Sequence, residues 1–395
     1  MTPGYVRARI AAGATAVTGT GAAASLALAL LVLVCAFVAV AVPRASLGYR
    51  TAVLQRSFHA ASSSATTVLA DATISSLTGG TLSTAQLASA QRQLSDGLGR
   101  EGLPLAPPTA DWSGMVTGSA PFAVIGRPPA RTMAAPQLEL LYRSGLGRNA
   151  RLVSGALPGA SAGAPTGTGT AVTLQVAVSQ ATAARFGLHP GSRLQAAGRA
   201  VMVTGIIRPR RPASSFWTVD PVAAAPQLTY PSPNSAPYLS SGAFVSAAEL
   251  PALQSYLSAP LRALWSFPLS LAGVTADQAA GLARTLAAVG YLPAATSVGT
   301  SLNAAAGPTA TIQVSLSSGL ATTLPSFVAT DDAVQRVLSL MFVSLAVIAA
   351  VVVLLGARLV AARRRGEFTM MRARGASLRQ VAAVALGGGT AAALP

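Results

Sequence analysis

Two uninterrupted apolar runs dominate the pattern of hydrophobic and polar positions along the chain. The first, residues 22–42, holds 21 residues and no charge. As a helix it spans about 31 Å, close to the hydrocarbon thickness of a bilayer. The second, residues 337–355, holds nineteen residues with neither a charge nor a Pro. A buried helix of a soluble protein is the other reading of this run, but an uncharged stretch of this length favours a membrane span. For the first run the other reading is a signal peptide. Arg7 and Arg9 would form its basic start, and Ala39-Val40-Ala41 its small-residue cleavage site. The run exceeds the roughly 7–15 residues of such a core, which favours a retained helix. A third apolar stretch, 381–395, is too short to span, and Gly387-Gly388-Gly389 weakens it as a helix. It reads as the start of a third transmembrane helix in a truncated chain.

Between the two long runs the periodicity is mixed. Residues 45–77 carry helical spacing through Leu47, Val53, Leu54, Phe58 and Val68, which predicts a stalk continuing the first helix. Residues 85–98 form a second helical pattern. Residues 104–108 read as a Pro-rich linker, and 161–170 as a Gly/Thr/Ala loop. Residues 171–178 alternate as a strand, and Ser179 N-caps a short helix to 186. A turn at 187–191 then leads into a hairpin of 193–197 and 200–207. Residues 209–237 are Pro-rich and irregular, while 247–258 and 275–289 read as helical. The fold class expected is therefore a membrane protein. It has two complete transmembrane α-helices plus the start of a third, with a large α+β extracytoplasmic domain between the first two.

Charge sets the orientation. Only 10% of residues are charged, against about 25% in soluble domains. The net charge is +17, and all 28 basic residues are Arg. Asp331, Asp332 and Arg336 precede the second run; Arg358, Arg363, Arg364, Arg365, Arg372, Arg374 and Arg379 follow it. The Arg-rich side is the cytoplasmic one. The first run is locally ambiguous, with Arg7 and Arg9 before it and Arg44, Arg50 and Arg56 after it, so it takes its orientation from the second. The expected order is a cytoplasmic N-terminus (1–21), a first span (22–42), an extracytoplasmic domain with a helical stalk (43–336), a second span (337–357), a cytoplasmic segment (358–380) and the third helix start (381–395).

Composition excludes much chemistry. Without Lys there is no standard Walker A site and no Schiff base. The single Cys, Cys35, lies inside the first run, which rules out a disulfide framework or a Cys-based zinc site. Two His residues, His59 and His189, are too few for most His-rich metal centres; no cofactor is expected. Gly159-Ala160-Ser161-Ala162-Gly163 matches a nucleophile elbow, yet no acid lies between Ser161 and the only later His, His189. It reads as a chance match, and no enzyme is expected. Gly167-Thr168-Gly169 lacks the third Gly of a dinucleotide site. His189 precedes Pro190-Gly191 and reads as a turn residue; His59 reads as solvated on the stalk. Arg208, Arg210 and Arg211, beside Pro209 and Pro212, read as a solvated loop. The thin spread of the other Arg residues argues against nucleic acid as a partner.

The segment after the second run carries more. Glu367 is the one acidic residue among the Arg residues there, and Phe368 and Met371 share a helix face. Gly375 suits a helix C′ position, and Ser377 with Gln380 forms an S-x-x-Q capping box that restarts a helix. On these residues alone a positive-inside connector is as good an account. Arg364-Arg365-Gly366-Glu367, then Met371-Arg372-Ala373-Arg374-Gly375-Ala376-Ser377, then Gln380, resembles the R-R-x-E…L-R-A-x-G-A-S…Q signature of FtsX-like permeases, the membrane subunits of MacB-type ABC transporters. Met371 stands where Leu is common. Ala183-Ala184-Arg185-Phe186-Gly187-Leu188-His189-Pro190-Gly191 resembles that family's A-x-x-L-G-L-x-P-G-D stretch, with Phe186 for Leu and Ser192 for Asp. Val203-Thr204-Gly205-Ile206-Ile207 and Ala243-Phe244-Val245-Ser246 resemble two of its strands. The resemblance covers most of the chain and is specific around 364–380.

It implies a multi-pass permease of the bacterial cell membrane, in contact with lipid and in a family with at least four spans. A separate ABC ATPase would bind its cytoplasmic face, and permease halves would pair as a dimer or pseudo-dimer. The implied function is export or transmembrane signalling. Coupling to the ATPase would rest on Arg364, Arg365, Glu367, Arg372, Gly375, Ala376, Ser377 and Gln380. The other reading is a non-transport membrane-anchored sensor or binding protein with the same two spans.

Overall fold

The structure is a computed structural model that describes residues 30–74, 81–125, 134–159, 173–231, 235–254, 260–307 and 310–373, apart from 31, 39, 43 and 197. Among the described residues, two helices are long and apolar enough to cross a membrane. Helix α1 runs Val32–Ala60, and α9 runs Leu320–Ala373, 54 residues without a break. No residue in the apolar window of either is buried. In α9, Leu340 is 71% and Ile348 60% exposed. A core helix of this chain would instead be covered by protein. The chain divides into two units, one made of residues up to Arg50 and from Ala329, the other Thr51–Val328.

The second unit is α+β, and β4 is its hinge point in the sheet. The strands are β1 (Thr67–Ile74), β2 (Trp112–Val116), β3 (Ala120–Val124), β4 (Gln137–Arg143), β5 (Ala150–Gly155), β6 (Leu174–Ser179), β7 (Arg193–Ala196), β8 (Arg199–Pro209), β9 (Gln227–Thr229), β10 (Tyr238–Phe244), β11 (Leu261–Pro268) and β12 (Ile312–Ser318). They pair in the order β12-β1-β11-β2-β4-β3-β7-β8-β6-β10-β9, with β5 added to β8. Strand β10 also pairs with β4 in parallel, so β4-β3-β7-β8-β6-β10 closes into a ring. Along β4, Leu138 and Gln137 face β3, while Leu141, Tyr142 and Arg143 face β2. The chain from β2 to β3 thus divides two lobes, an open sheet of β12-β1-β11-β2 and the closed ring.

Helices α2 (Thr84–Arg100) and α8 (Pro293–Ala306) pack with the open sheet. Ser83 starts α2 with a capping box completed by Gln86, and Leu87, Ala90, Leu94 and Leu98 form its buried stripe. Each fully buried Leu contributes about 1.5–3 kcal/mol. The Trp265 indole of β11 donates to the Leu87 carbonyl at 2.9 Å, tying the helix to the sheet. Gly97 allows α2 to approach α8: a Cβ there would meet the Ala294 Cβ at 2.6 Å. The free edge of β12 is closed at one end by Asn303 of α8, whose amide exchanges hydrogen bonds with the Ile312 backbone at 2.6 and 3.1 Å.

In the ring, α4 (Gln180–Phe186) begins where the Ser179 hydroxyl accepts from Thr182 N–H. It ends at Gly187, whose φ of 64° only Gly adopts easily. The hairpin of β7 and β8 follows as expected. Three expectations need correction. The stalk helix stops at Ala60, and residues 67–74 form β1, buried between β11 and β12. Residues 104–108 are not a linker, since Ala106 N–H donates to the Pro268 carbonyl and Ser270 N–H to that of Pro104. The irregular stretch 209–237 contains α5 (Ser215–Thr218) and β9.

Candidate functional site

The signature segment starts on α9. Arg364, Arg365, Glu367 and Arg372 lie on its helical backbone, in the element that carries the second apolar run. Gly375, Ala376, Ser377 and Gln380 lie outside the described residues, as does the third helix start. The structure therefore carries the first four on one helix.

The sequence reading missed a clasp between the two membrane-directed helices. The Arg50 Nε donates to Asp331 Oδ1 at 2.6 Å, and its second arm reaches Oδ2. Gln335, oriented with its oxygen toward the guanidinium, accepts from Nε and Nη1 at 3.1 Å. Both charges are partly shielded, Arg50 being 21% and Asp331 12% exposed at the side chain. Arg50 lies eight residues past position 42 and Asp331 six before position 337. At 1.5 Å per residue these are about 12 and 9 Å beyond the apolar runs. The only signal in the sequence was a pair of opposite charges at matched distances from the two runs.

A second missed centre is Arg143, at the end of β4. Its side chain is fully buried, with its Cζ 4.6 Å from the Trp112 ring centroid and 5.6 Å from that of Phe216. One guanidinium nitrogen donates to Asp220 at 3.0 Å and the other to the Phe216 carbonyl. Trp217 and Phe244 complete the aromatic cluster. Burial pushes the Arg143 value down to about 10, opposed by Asp220 and Glu139, so it stays charged at neutral pH. Burial, and then the charge of Asp220, pushes Glu139 up to about 7. Asp111 is raised to about 7 by burial as well. The ion pair pins 216–220 onto the sheet. No signal in QLELLYR separates this Arg from a solvated strand residue.

Neither centre presents a nucleophile beside a base. His189 sits in its turn, with its backbone N–H donating to Ser192, and His59 is exposed with Nδ1 against the Gln55 carbonyl. Ser161 lies outside the described residues. Among the described residues, no group of three or more His, Cys, Asp or Glu is placed to hold a metal. A cleft of 170 Å³ lined by Gln55, Phe58, His59, Thr66 and Leu269 falls short of the ~300–1,000 Å³ typical of small-molecule sites.

No family model and no curated protein matches this sequence. Among solved structures, the periplasmic region of MacB from Actinobacillus actinomycetemcomitans is similar at a TM-score of 0.27 and 8% identity, over 70% of this chain and 94% of that one. The extracellular domain of the ABC-type transporter YknZ from Gram-positive bacteria is similar at a TM-score of 0.25 and 13% identity, over 62% of this chain and 98% of that one. Overlaps at these TM-scores do not establish a common fold, and no family is assigned from them.

Proposed function

We propose that the chain is the permease subunit of an ABC-type transporter, coupling a separate ATPase to its α+β unit for export or transmembrane signalling. The observation that carries this reading is the continuity of α9. One unbroken helix bears both the exposed apolar run and Arg364, Arg365, Glu367 and Arg372 of the FtsX-like signature. A displacement of the signature end would be passed to the span along the same helix, whose one internal Pro, Pro325, lies on the far side of the apolar run. Residues 358–380 would form the cytoplasmic contact and 43–336 the extracytoplasmic part, with no covalent chemistry in this subunit.

The test is pull-down of the ATPase subunit and its stimulated ATP turnover with Glu367→Arg and Gly375→Val in the full-length protein. Glu367 is the one carboxylate among seven Arg residues, and exposed pairs are worth only ~0–1 kcal/mol, so membrane abundance should hold. Both variants are expected to bind the ATPase poorly or fail to stimulate it. Normal binding and turnover in both would leave a positive-inside connector, and with it the anchored sensor, as the better account.

A further inference from the structure

Five arginines crowd one end of the β5–β8 ladder. Arg148 and Arg151 on one stretch, and Arg208, Arg210 and Arg211 on the other, fall within residues 148–151 and 208–211, and all five are exposed. Arg151 stands directly opposite Arg208. The Arg210 backbone N–H donates to the Asn149 carbonyl at 2.9 Å, and its Nε to that of Ala150 at 3.1 Å, which locks the two stretches together. Like charges directly opposite on a ladder are destabilising. No carboxylate offsets them, since the ion pairs among the described residues use Arg50, Arg143 and Arg262.

The same strand is apolar and open. Leu152 and Val153 of β5 are 40% and 49% exposed, and Leu157 follows at 42%. Among the described residues β5 pairs with β8 alone, with a bulge at Val153, so its other edge presents backbone donors and acceptors on either side of that bulge. Charged side chains on an edge discourage its pairing with a copy of itself. Here five are uncompensated, and the repulsion that excludes a like strand favours an acidic one.

We infer that β5 is a docking edge for an acidic, extended segment of a partner protein, added as a further strand. Backbone hydrogen bonds would hold it, Leu152 and Val153 would meet its apolar side chains, and the arginines would pair its carboxylates. Docking at this edge needs no ATPase partner. A lipid surface would use the charges and the apolar residues but leave the backbone edge unused.

The probe is a labelled peptide of alternating Glu and Val, titrated onto the full chain in phosphatidylcholine nanodiscs at low salt. Its affinity is expected to fall by about tenfold or more when Arg151→Glu and Arg208→Glu are combined, and to hold in Arg185→Glu on α4. A peptide N-methylated at alternate residues keeps its charge but loses donors, and is expected to bind as poorly. Arg208→Glu alone turns the opposed pair into an attractive one, so its Tm should hold or rise while peptide affinity drops. The proposal is overturned if the acidic peptide does not bind, if the N-methylated peptide binds equally, or if Arg208→Glu leaves affinity unchanged. Arginine-dependent binding of phosphatidylglycerol vesicles without peptide binding would assign the patch to lipid instead.

Discussion

At the scale of single residues, Arg143 shows how one burial sets the chemistry of its neighbours. Taking a guanidinium out of water is costly, and removing its partner strands a buried charge at about 3–5 kcal/mol. Trp112, Phe216 and Asp220 recover part of that cost, while the Arg143 Nε is buried without a hydrogen-bond partner. Glu139 sits on the same strand two turns of the pleat away, with the Ser240 hydroxyl 3.2 Å from it. Its value and that of Asp111 rise to about 7 from ordinary values of 4.5 and 3.8. The folded state thus holds both protons more tightly than the unfolded chain. Stability from these groups is greatest at low pH and is lost as pH rises from the ordinary values toward 7. The Tm should therefore fall between about pH 4 and about pH 7 on account of these groups. Glu139→Gln should flatten that fall and raise the Tm at the upper end. Thermal melts of both proteins across the range check it, and parallel curves would defeat it.

At the scale of elements, the clasp of Arg50, Asp331 and Gln335 joins α1 to α9 just beyond their apolar runs. A bidentate pair in partly shielded surroundings is stronger than an exposed one. Arg50→Ala and Asp331→Ala should each lower the thermal stability of the full chain in nanodiscs, by about 1 kcal/mol. The exchanged pair, Arg50→Asp with Asp331→Arg, should recover most of it. A double-mutant cycle with no coupling would show that the contact is incidental.

How legible the elements were depended on where their signals lie. Helix α4 and the hairpin after it were readable because Ser179, Gly187 and period-two burial are local features. Strand β2 was not, since all five of its residues are buried and no alternation survives. The same holds for the centre of β11. Strand β1 does alternate, but through Val68, Ala70, Ala72 and Ile74, and Ala is a weak marker of either period. Position 68 also happens to extend the helical spacing of 47–58, and tertiary pairing overrode it. Of the site, the Arg-rich segment was legible from its composition, whereas Arg143 was defined only by what folds around it.

At the scale of the whole molecule, the two exposed helices and the α+β unit between them in sequence set up a topology test. Position 161 should be labelled from outside intact cells and position 369 only after permeabilisation, using single cysteines in a Cys35-free chain. Labelling of 369 from outside would invert the assignment. The placing of β1 has a further consequence, in time. Asp71 of β1 meets Arg262 across 191 residues and Ser315 across 244. At a synthesis rate of roughly 5–20 residues per second, β1 waits some 10–50 s for its neighbours. Throughout that interval a strand destined for the centre of the open sheet has both edges bare. Its emergence is thus the moment at which nascent chains are most open to wrong pairing and most in need of a holding chaperone.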